Sequence, residues 1–520
     1  MNRDPKTEQA AAAANEGAAS PGESASPPGS LRAAQVVMTV GSLQFVLGLL
    51  FVARSKTIAV LLGPDGVGIV SVVDQMVQLV TQVSALALSV APMKFISRML
   101  HHGSDEVSKI YQALFKSLLV SLLLGTALSI LLVALRAEVL GAELVVYRTI
   151  VLVGLLTVPT TALVVFFGNV LASAKSYRSS LFYSLAFNFG LLVAAYAGIR
   201  LGGINGLYYG NVVVGVAAVL GVLAYVRSTL QLEPHSRGFR FREELRKHPD
   251  LLAFCAVIYV LSFAQPLAFF LARYAVLKHQ GSTEAGYFQA VFAIAATMSL
   301  LLTQSIRVYL EPIANRDLPV AEKIRHANDF LRSFGVLILF GALPLVLFPR
   351  EILIVLFSSA FTAAAPFLFL LLLSDCIFLC AQVYLAIVLG VDDLKGFFTA
   401  NLLAHVALAG LAWMLVPRYG LAGVAWAFLA ARGVLLLLGA GRLVQKHGLR
   451  VPAGLAGLLA YIGVALVLGG LLGRGETGLS IQNVVWRLAI YGALGAGAYL
   501  FLNRVEKAWL RQLWTQIKTR

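Results

Sequence analysis

Apolar stretches long enough to cross a membrane recur through almost the whole chain. A helix needs about 20 apolar residues to span the hydrocarbon core of a bilayer, and fourteen stretches near that length lie between polar breaks. They are 33–53, 69–92, 113–135, 147–172, 181–199, 207–226, 251–277, 286–306, 330–348, 362–390, 398–416, 421–441, 451–473 and 483–503. The pattern predicts an all-α polytopic membrane protein with about 14 transmembrane helices.

The charge content agrees with lipid as the main solvent. Only 13% of the 520 residues are charged, against about 25% in soluble domains. The net charge of +16 comes from basic residues scattered over many connections. They form no stripe with interleaved aromatic residues, so we expect membrane topology to explain them and no nucleic acid partner.

The basic residues also predict the orientation. If the N-terminal tail is cytoplasmic, most of the 41 Lys and Arg residues fall on cytoplasmic connections and tails. The positive-inside rule then predicts cytoplasmic N- and C-termini and an even number of spans. Residues 1–32 lack the apolar core of a signal peptide and are expected to form a disordered cytoplasmic tail.

An internal repeat divides the spans. Gly63 and Gly68 correspond to Gly281 and Gly286 at an offset of 218, and Gly203-x-x-Gly206 corresponds to Gly420-x-x-Gly423 at an offset of 217. An even number of spans separates the copies, which predicts a parallel repeat. The expected parts are a six-helix lobe at 33–228, a cytoplasmic linker at 229–250, a second six-helix lobe at 251–445, and two extra helices with a cytoplasmic tail at 446–520.

No motif of an enzyme is present in the sequence. There is no G-x-x-x-x-G-K-[ST], H-E-x-x-H or G-x-S-x-G pattern, and no predicted outer connection exceeds about 15 residues. Cys255, Cys376 and Cys380 lack further metal ligands nearby and are expected to be packing residues. The pair Asp392-Asp393 resembles the acidic pair of a metal-dependent glycosyltransferase, but we expect it to form a short turn between the tenth and eleventh spans. The sequence therefore predicts a transporter rather than an enzyme, with no metal and no bound cofactor.

Basic side chains in or near the spans are the candidates for cargo binding. They are Arg54 and Lys56 after the first span, Lys94 after the second, Arg273 and Lys278 on the seventh, and Arg307 after the eighth. These side chains either reach the head groups or line a cationic cavity between the lobes. Arg273 lies within an apolar run, where a guanidinium suits a bidentate phosphate or diphosphate contact.

Two acids also lie within spans. Asp74 is part of a polar stripe with Gln78 on the second span, and Asp375 lies in the tenth. A charge at the bilayer centre is costly and usually faces a water-filled cavity or a partner. Each acid is a candidate for proton or sodium coupling, and the alternative is an interhelical hydrogen bond or an ion pair. His405 is expected to be a hydrogen-bonded packing residue.

Four segments resemble one known family. They are SKTIAVLLGPDGVGIVSVVDQMVQLV, SIRVYLEPIANR, LLLSDCIFLCAQVYLAIVLGVDDLKGFFTAN and VPRYGLAGVAWAFL. Together they resemble the lipid-linked oligosaccharide flippases that export O-antigen and enterobacterial common antigen units. That family is part of the multidrug/oligosaccharidyl-lipid/polysaccharide exporter superfamily.

The resemblance implies a bacterial inner-membrane protein with a central cavity exposed to alternate sides. It implies an undecaprenyl-diphosphate-linked glycan as cargo, membrane lipid around the prenyl chain, and polysaccharide polymerase machinery as a partner. Arg54 and Arg273 would bind the diphosphate, with Lys94 and Arg307 as its first contacts on the inner side. Four functions follow as hypotheses: this flippase, a cation-coupled drug antiporter of the same fold, a lipid II flippase, and a membrane-embedded glycan polymerase.

Overall fold

The computed structural model describes the chain except for residues 1–28, 100–103, 137, 139–140, 174–176, 230–248, 474–480 and 501–520. The chain divides into two units, 1–44 and 45–520, and all side-chain contacts given below lie within the second. Sixteen α-helices are described: α1 Gly29–Ala85, α2 Ala91–Met99, α3 Ser104–Leu135, α4 Ala142–Val145, α5 Arg148–Leu155, α6 Val158–Ser173, α7 Tyr177–Thr229, α8 Pro249–Gln280, α9 Ser282–Ser305, α10 Glu311–Ala314, α11 Val320–Leu347, α12 Pro349–Leu356, α13 Ala365–Gly390, α14 Leu394–His447, α15 Ala453–Gly473 and α16 Ile481–Tyr499. A π-helical turn, Ile306–Leu310, and a 3₁₀-helix, Ser359–Ala364, complete them.

Every predicted span overlaps a described helix, but the helices are fewer because three of them contain two spans each. Helices α1, α7 and α14 continue through the predicted outer connections and change direction at glycines: Gly63, the pair Gly202 and Gly203, and Gly420. The second span ends earlier than the predicted residue 92, because Leu86 and Ala87 have φ of 47° and 59° and leave the helical region.

The kinks repeat in the two predicted halves. Gly203 has φ 57° and ψ −139°, and Gly420 has φ 56° and ψ −133°. A residue with a Cβ rarely adopts this backbone conformation, which explains glycine at both positions. The matching kinks occur at the offset of 217 that the sequence predicts, so the repeat is present in the backbone as well as in the residue types.

The two predicted lobes, here called the N-half (33–228) and the C-half (251–445), meet through a contact that obeys the same repeat. A Cβ on Gly68 would lie 1.9 Å from the carbonyl oxygen of Ser282, and a Cβ on Gly286 would lie 2.0 Å from that of Pro64. Ser282 is the repeat partner of Pro64 at the offset of 218. Backbone therefore touches backbone in a two-fold-like arrangement that only glycine permits.

Side-chain hydrogen bonds also join the two halves at this end of the molecule. The Asp65 carboxylate accepts hydrogen bonds from the Ser282 hydroxyl at 2.9 Å and the Thr283 hydroxyl at 2.5 Å. Lys56 donates to the carbonyl of Val355 at 2.6 Å. All these residues lie in predicted outer connections or beside them, so we refer to the set as the outer-end contact.

The largest of three apolar clusters among the described residues draws on both halves, and two smaller clusters lie towards the C-terminal part. Helix α13 packs along α14, and α14 also packs along α8, within the C-half. The predicted linker at 229–250 falls mostly outside the described residues, so the domain boundaries there stay a prediction. The predicted turn at Asp392 and Asp393 is confirmed: Asp392 has φ 58°, and the Asp393 side chain caps α14 by accepting from the amide of Gly396.

Candidate functional site

Arg273 is buried at the junction between the halves, with 5% of its surface exposed. It lies inside α8, as its apolar neighbours predict. Its Nη1 donates to Gln75 Oε1 of the N-half at 2.8 Å. Its Nε and Nη2 donate to Gln289 Oε1 of the C-half at 3.3 and 3.0 Å. A single guanidinium thus joins α1, α8 and α9.

The charge of Arg273 is held mainly by neutral groups. Both hydrogen-bond acceptors are amide oxygens, and the guanidinium carbon lies 4.6 Å from the centre of the Phe292 ring, a cation–π distance. Asp74 is near enough to interact electrostatically with Arg273, but Arg273 has no salt bridge to a described carboxylate. The site can therefore still attract an anion.

Asp74 is the acidic residue of the N-half that lies near Arg273. It accepts a hydrogen bond from the Tyr208 hydroxyl at 2.9 Å and is also attracted by Arg54, whose Nε has no hydrogen-bond partner in the described structure. Gln75 donates to Gln78 Oε1 at 2.9 Å, so these two amides lie on one face of α1. We call Arg54, Asp74, Gln75, Arg273 and Gln289 the interhalf polar cluster.

The other predicted cations lie elsewhere and are exposed. Lys56 belongs to the outer-end contact, and Lys278 lies 5.2 Å from the ring centre of Trp413. Lys94 lies beside the Phe95 ring at 5.5 Å, and Arg307 is in the π-helical turn. Of the six predicted basic residues, Arg54 and Arg273 share a neighbour, Asp74. A cavity that uses all six stays a prediction.

Asp375 is buried and ion-paired with Arg432, a residue that the sequence analysis did not select. Arg432 also donates to the Ser374 hydroxyl at 3.1 Å, and its guanidinium lies 5.0 Å from the Phe378 ring and 5.3 Å from the Phe428 ring. An arginine within the apolar run of the second α14 segment was the available signal. The ion pair is the alternative that the sequence left open for Asp375.

Among the described residues, no three His, Cys, Asp or Glu side chains come close enough to hold a metal ion together. His405, which was expected to be hydrogen-bonded, interacts with the backbone of Asn401 one turn earlier on α14, although its Nδ1 does not meet strict hydrogen-bond geometry.

The helices and the buried charges define a class, the many-spanning α-helical membrane proteins. Eight described helices are long and apolar enough to cross a membrane, and some of them contain two predicted spans. No family model matches the sequence, and no curated protein matches it either.

Solved structures show the fold more closely. A structure of the lipid II flippase MurJ in an inward closed conformation matches with a TM-score of 0.67 and 14% identity, over 89% of this chain and 99% of that one. An inward-facing multidrug resistance MATE family transporter of the MOP superfamily matches at 0.57 and 16%, over 78% and 98%. A variant of the Vibrio cholerae MATE transporter VcmN matches at 0.54 and 14%, over 79% and 98%.

At these identities the likeness establishes the fold. The chain has the all-helical polytopic fold seen in MurJ and in MATE transporters, and the predicted fold class is confirmed.

Proposed function

We propose that this chain is a flippase. It moves a polyprenyl-diphosphate-linked oligosaccharide from the cytoplasmic to the outer leaflet of the bacterial inner membrane, for surface polysaccharide synthesis. It belongs on this proposal to the superfamily of its structural neighbours, and it acts as a transporter without chemical conversion of the cargo. A polysaccharide polymerase would receive the cargo on the outer side.

The observation that carries the proposal is the state of Arg273. Burying an arginine in an apolar bundle without a carboxylate in direct contact is costly, and its two amide acceptors satisfy the hydrogen bonds without neutralising the charge. A diphosphate would supply both the missing charge and the bidentate acceptor that a guanidinium prefers. Arg54, with its unpartnered Nε, would supply the second donor.

The amides of Gln75 and Gln289 would link cargo binding at Arg273 to the contact between the halves. They occupy the Arg273 donors when the site is empty, and each comes from a different half. Transfer of Arg273 from these amides to a diphosphate would loosen one link between the halves. Cargo binding and movement of the halves are then coupled through one side chain.

Alternating access is the proposed movement. The outer-end contact closes the halves together at the predicted outer side, which leaves the predicted cytoplasmic side for loading. Rigid-body rocking of two repeat-related halves is the common mode in transporters built this way. Release of cargo requires the outer-end contact to separate.

Arg273→Ala tests the cargo site. In a strain whose own lipid-linked oligosaccharide flippase is deleted, we expect the unchanged chain to restore surface polysaccharide and Arg273→Ala to lose at least tenfold, since a charged hydrogen bond is worth about 1.5–3 kcal/mol. Arg273→Lys should retain part of the activity. Arg200→Ala, at an exposed arginine on α7, is the matched control and should behave as the unchanged chain.

Protein level is measured for each variant, because Arg273→Ala also removes a hydrogen-bond donor from the amide oxygens of Gln75 and Gln289. Normal surface polysaccharide from an Arg273→Ala protein at normal level would remove Arg273 from the mechanism. Failure of the unchanged chain to restore polysaccharide would refute this choice of cargo.

A lipid II flippase is the second candidate, and the match to MurJ, which has a higher TM-score and covers more of this chain than the two MATE structures, favours it over drug transport. Growth after depletion of a strain's own lipid II flippase would identify it. A drug antiporter usually needs free carboxylates for cations. Here Asp375 is paired with Arg432, and Asp74 lies near two arginines, which argues against that function.

Coupling to protons or sodium is proposed for Asp74 rather than Asp375. Asp74 has one described hydrogen-bond donor, Tyr208, and lies beside Arg273, so its charge state would alter the cargo site directly. Asp74→Asn should abolish dependence of transport on an imposed proton or sodium gradient. Retention of the full gradient dependence in Asp74→Asn would exclude this residue.

A further inference from the structure

A polar cavity lies inside the C-half, separate from the hydrogen bonds that Arg273 makes to Gln75 and Gln289. It has a volume of about 270 Å³ and is lined by residues from α8, α9, α13 and α14. Its lining residues fall near the middle of α8 and α13 and of both segments of α14. Transporter binding sites commonly lie at this depth, close to the bilayer midplane.

Aromatic rings form one wall of the cavity. Phe292 packs edge-on against Phe269 with ring centres 5.7 Å apart, and Phe428 lies 5.5 Å from Phe269 and 5.6 Å from Phe292. The three rings come from three helices and support one another. They make this wall of the cavity aromatic.

Polar side chains line the same space. They are Ser299, His405 and the amides Gln265, Gln382 and Asn401. Ser299 is 7% exposed, and its hydroxyl has no hydrogen-bond partner in the described structure. Buried polar groups are nearly always paired, so an unpaired hydroxyl on a residue that lines the cavity points to a ligand with hydroxyl or amide groups.

The charged side chains that line the cavity limit the chemical class of its ligand. Arg432 lines it but is neutralised by Asp375, which disfavours a strongly charged ligand of either sign. Small-molecule sites combine apolar walls with a few polar groups that fix orientation, and this volume is just below the usual range of about 300–1,000 Å³. A neutral ring with many hydroxyl groups and a flat apolar face fits these properties, and a pyranose sugar has them.

We propose that the C-half cavity binds a sugar ring of the lipid-linked cargo. The inference rests on the proposed function, because the diphosphate at Arg273 would bring the sugar there. Phe292 connects the two sites: the Arg273 guanidinium lies over its ring, and the ring lines the cavity. The cavity would thus select the glycan, while the interhalf polar cluster holds the diphosphate.

The test compares binding of two probes to the purified full chain in lipid nanodiscs: undecaprenyl diphosphate, and undecaprenyl diphosphate bearing N-acetylglucosamine. The ratio of the two dissociation constants reports the sugar contact alone. Ala296→Leu places bulk in the cavity. Thr297→Leu, the next residue on α9, is the matched control, because Thr297 lines a separate apolar cavity of the same volume, about 270 Å³.

We expect the unchanged chain to bind the sugar-bearing probe more tightly. Ala296→Leu should remove the preference and Thr297→Leu should keep it. Ser299→Ala, which removes one hydroxyl and no packing volume of note, should lower the preference about fivefold, and it keeps the test decisive if Ala296→Leu does not fold.

Equal binding of both probes to the unchanged chain, or a preference that survives both cavity variants, overturns the proposal while the flippase function stands. Absence of binding to either probe instead refutes the proposed function. If the probes bind equally and the cationic dye rhodamine 6G binds in a manner blocked by Ala296→Leu, the cavity is a drug site and the sugar assignment is wrong.

Discussion

Substitution of Gly68 by alanine adds one methyl group where the halves meet through their backbones. The new Cβ would lie 1.9 Å from the carbonyl oxygen of Ser282, whereas ordinary contact begins at 3.4 Å, so the helices must separate by about 1.5 Å there. No flexible side chain can absorb this shift, because the opposing atom is backbone. Inserting a methyl group into a packed contact costs about 1–3 kcal/mol, which corresponds to a 5- to 150-fold shift of a two-state equilibrium.

The shift should appear as opening of the outer end. Cysteines at 65 and 283 replace two side chains that touch across the contact, in a background with the native cysteines Cys255, Cys376 and Cys380 replaced by alanine. A short bifunctional thiol reagent then reports the closed population in membranes. We expect Gly68→Ala to lower cross-linking toward the limit of detection, and Gly286→Ala to act alike, since its Cβ meets the carbonyl of Pro64 at 2.0 Å.

Gly433→Ala is the control, because a Cβ there meets no atom within 4 Å. The two glycine substitutions open one shared contact, so the double variant should lose less than the sum of the single effects. Cross-linking of Gly68→Ala equal to that of Gly433→Ala would refute the reasoning, as would strictly additive effects.

Two further predictions concern charged pairs in the C-half. Asp375→Asn should destabilise the protein by about 3–5 kcal/mol in thermal unfolding, because it leaves Arg432 buried without its counter-charge. The double change of Asp375→Leu with Arg432→Met should recover most of the lost stability. Absence of recovery would indicate that the two residues have a role beyond the ion pair. Asp393→Ala should cost about 1 kcal/mol through loss of the α14 cap, and Asp393→Asn less, since asparagine also caps. The hydrogen bond from Lys446 lowers the pKa of Asp393 in the folded protein. The stabilisation from this interaction is therefore full near neutral pH and is lost as pH falls through the lowered pKa. A difference in stability between the unchanged and Asp393→Asn proteins that persists at pH 2 would contradict the assignment.

The repeat could be found from the sequence because glycines occupy equivalent positions in its two copies. Gly68 and Gly286 are constrained by backbone contact, and Gly203 and Gly420 by backbone conformation, so the residue type itself carries the structural information. Apolar length likewise located the spans. Helix continuity could not be predicted, because whether a Gly-Pro pair such as Gly63-Pro64 ends a helix or bends it depends on the packing of the flanking segments.

The site was predicted less completely. Arg273 was recognised because a charge within an apolar run is costly and conspicuous. Its partners Gln75 and Gln289 lie on other helices, α1 and α9. Sequence spacing does not predict contacts between residues on different helices. Arg432 was missed as the partner of Asp375 for the same reason: the pair forms between α13 and α14, and sequence periodicity reports only contacts within one helix.

The outer-end contact has the form of an interface between two identical subunits, in which residue i touches j and j touches i. Its geometry is what a six-span ancestor would make by pairing in parallel with a copy of itself. Three buried charged residues do not follow that symmetry: at the repeat offsets, Arg273 corresponds to Ser55, Asp375 to Thr157 and Arg432 to Gly215. The closing surface is thus common to the two copies, whereas the charged residues of the proposed cargo sites are each present in one copy only.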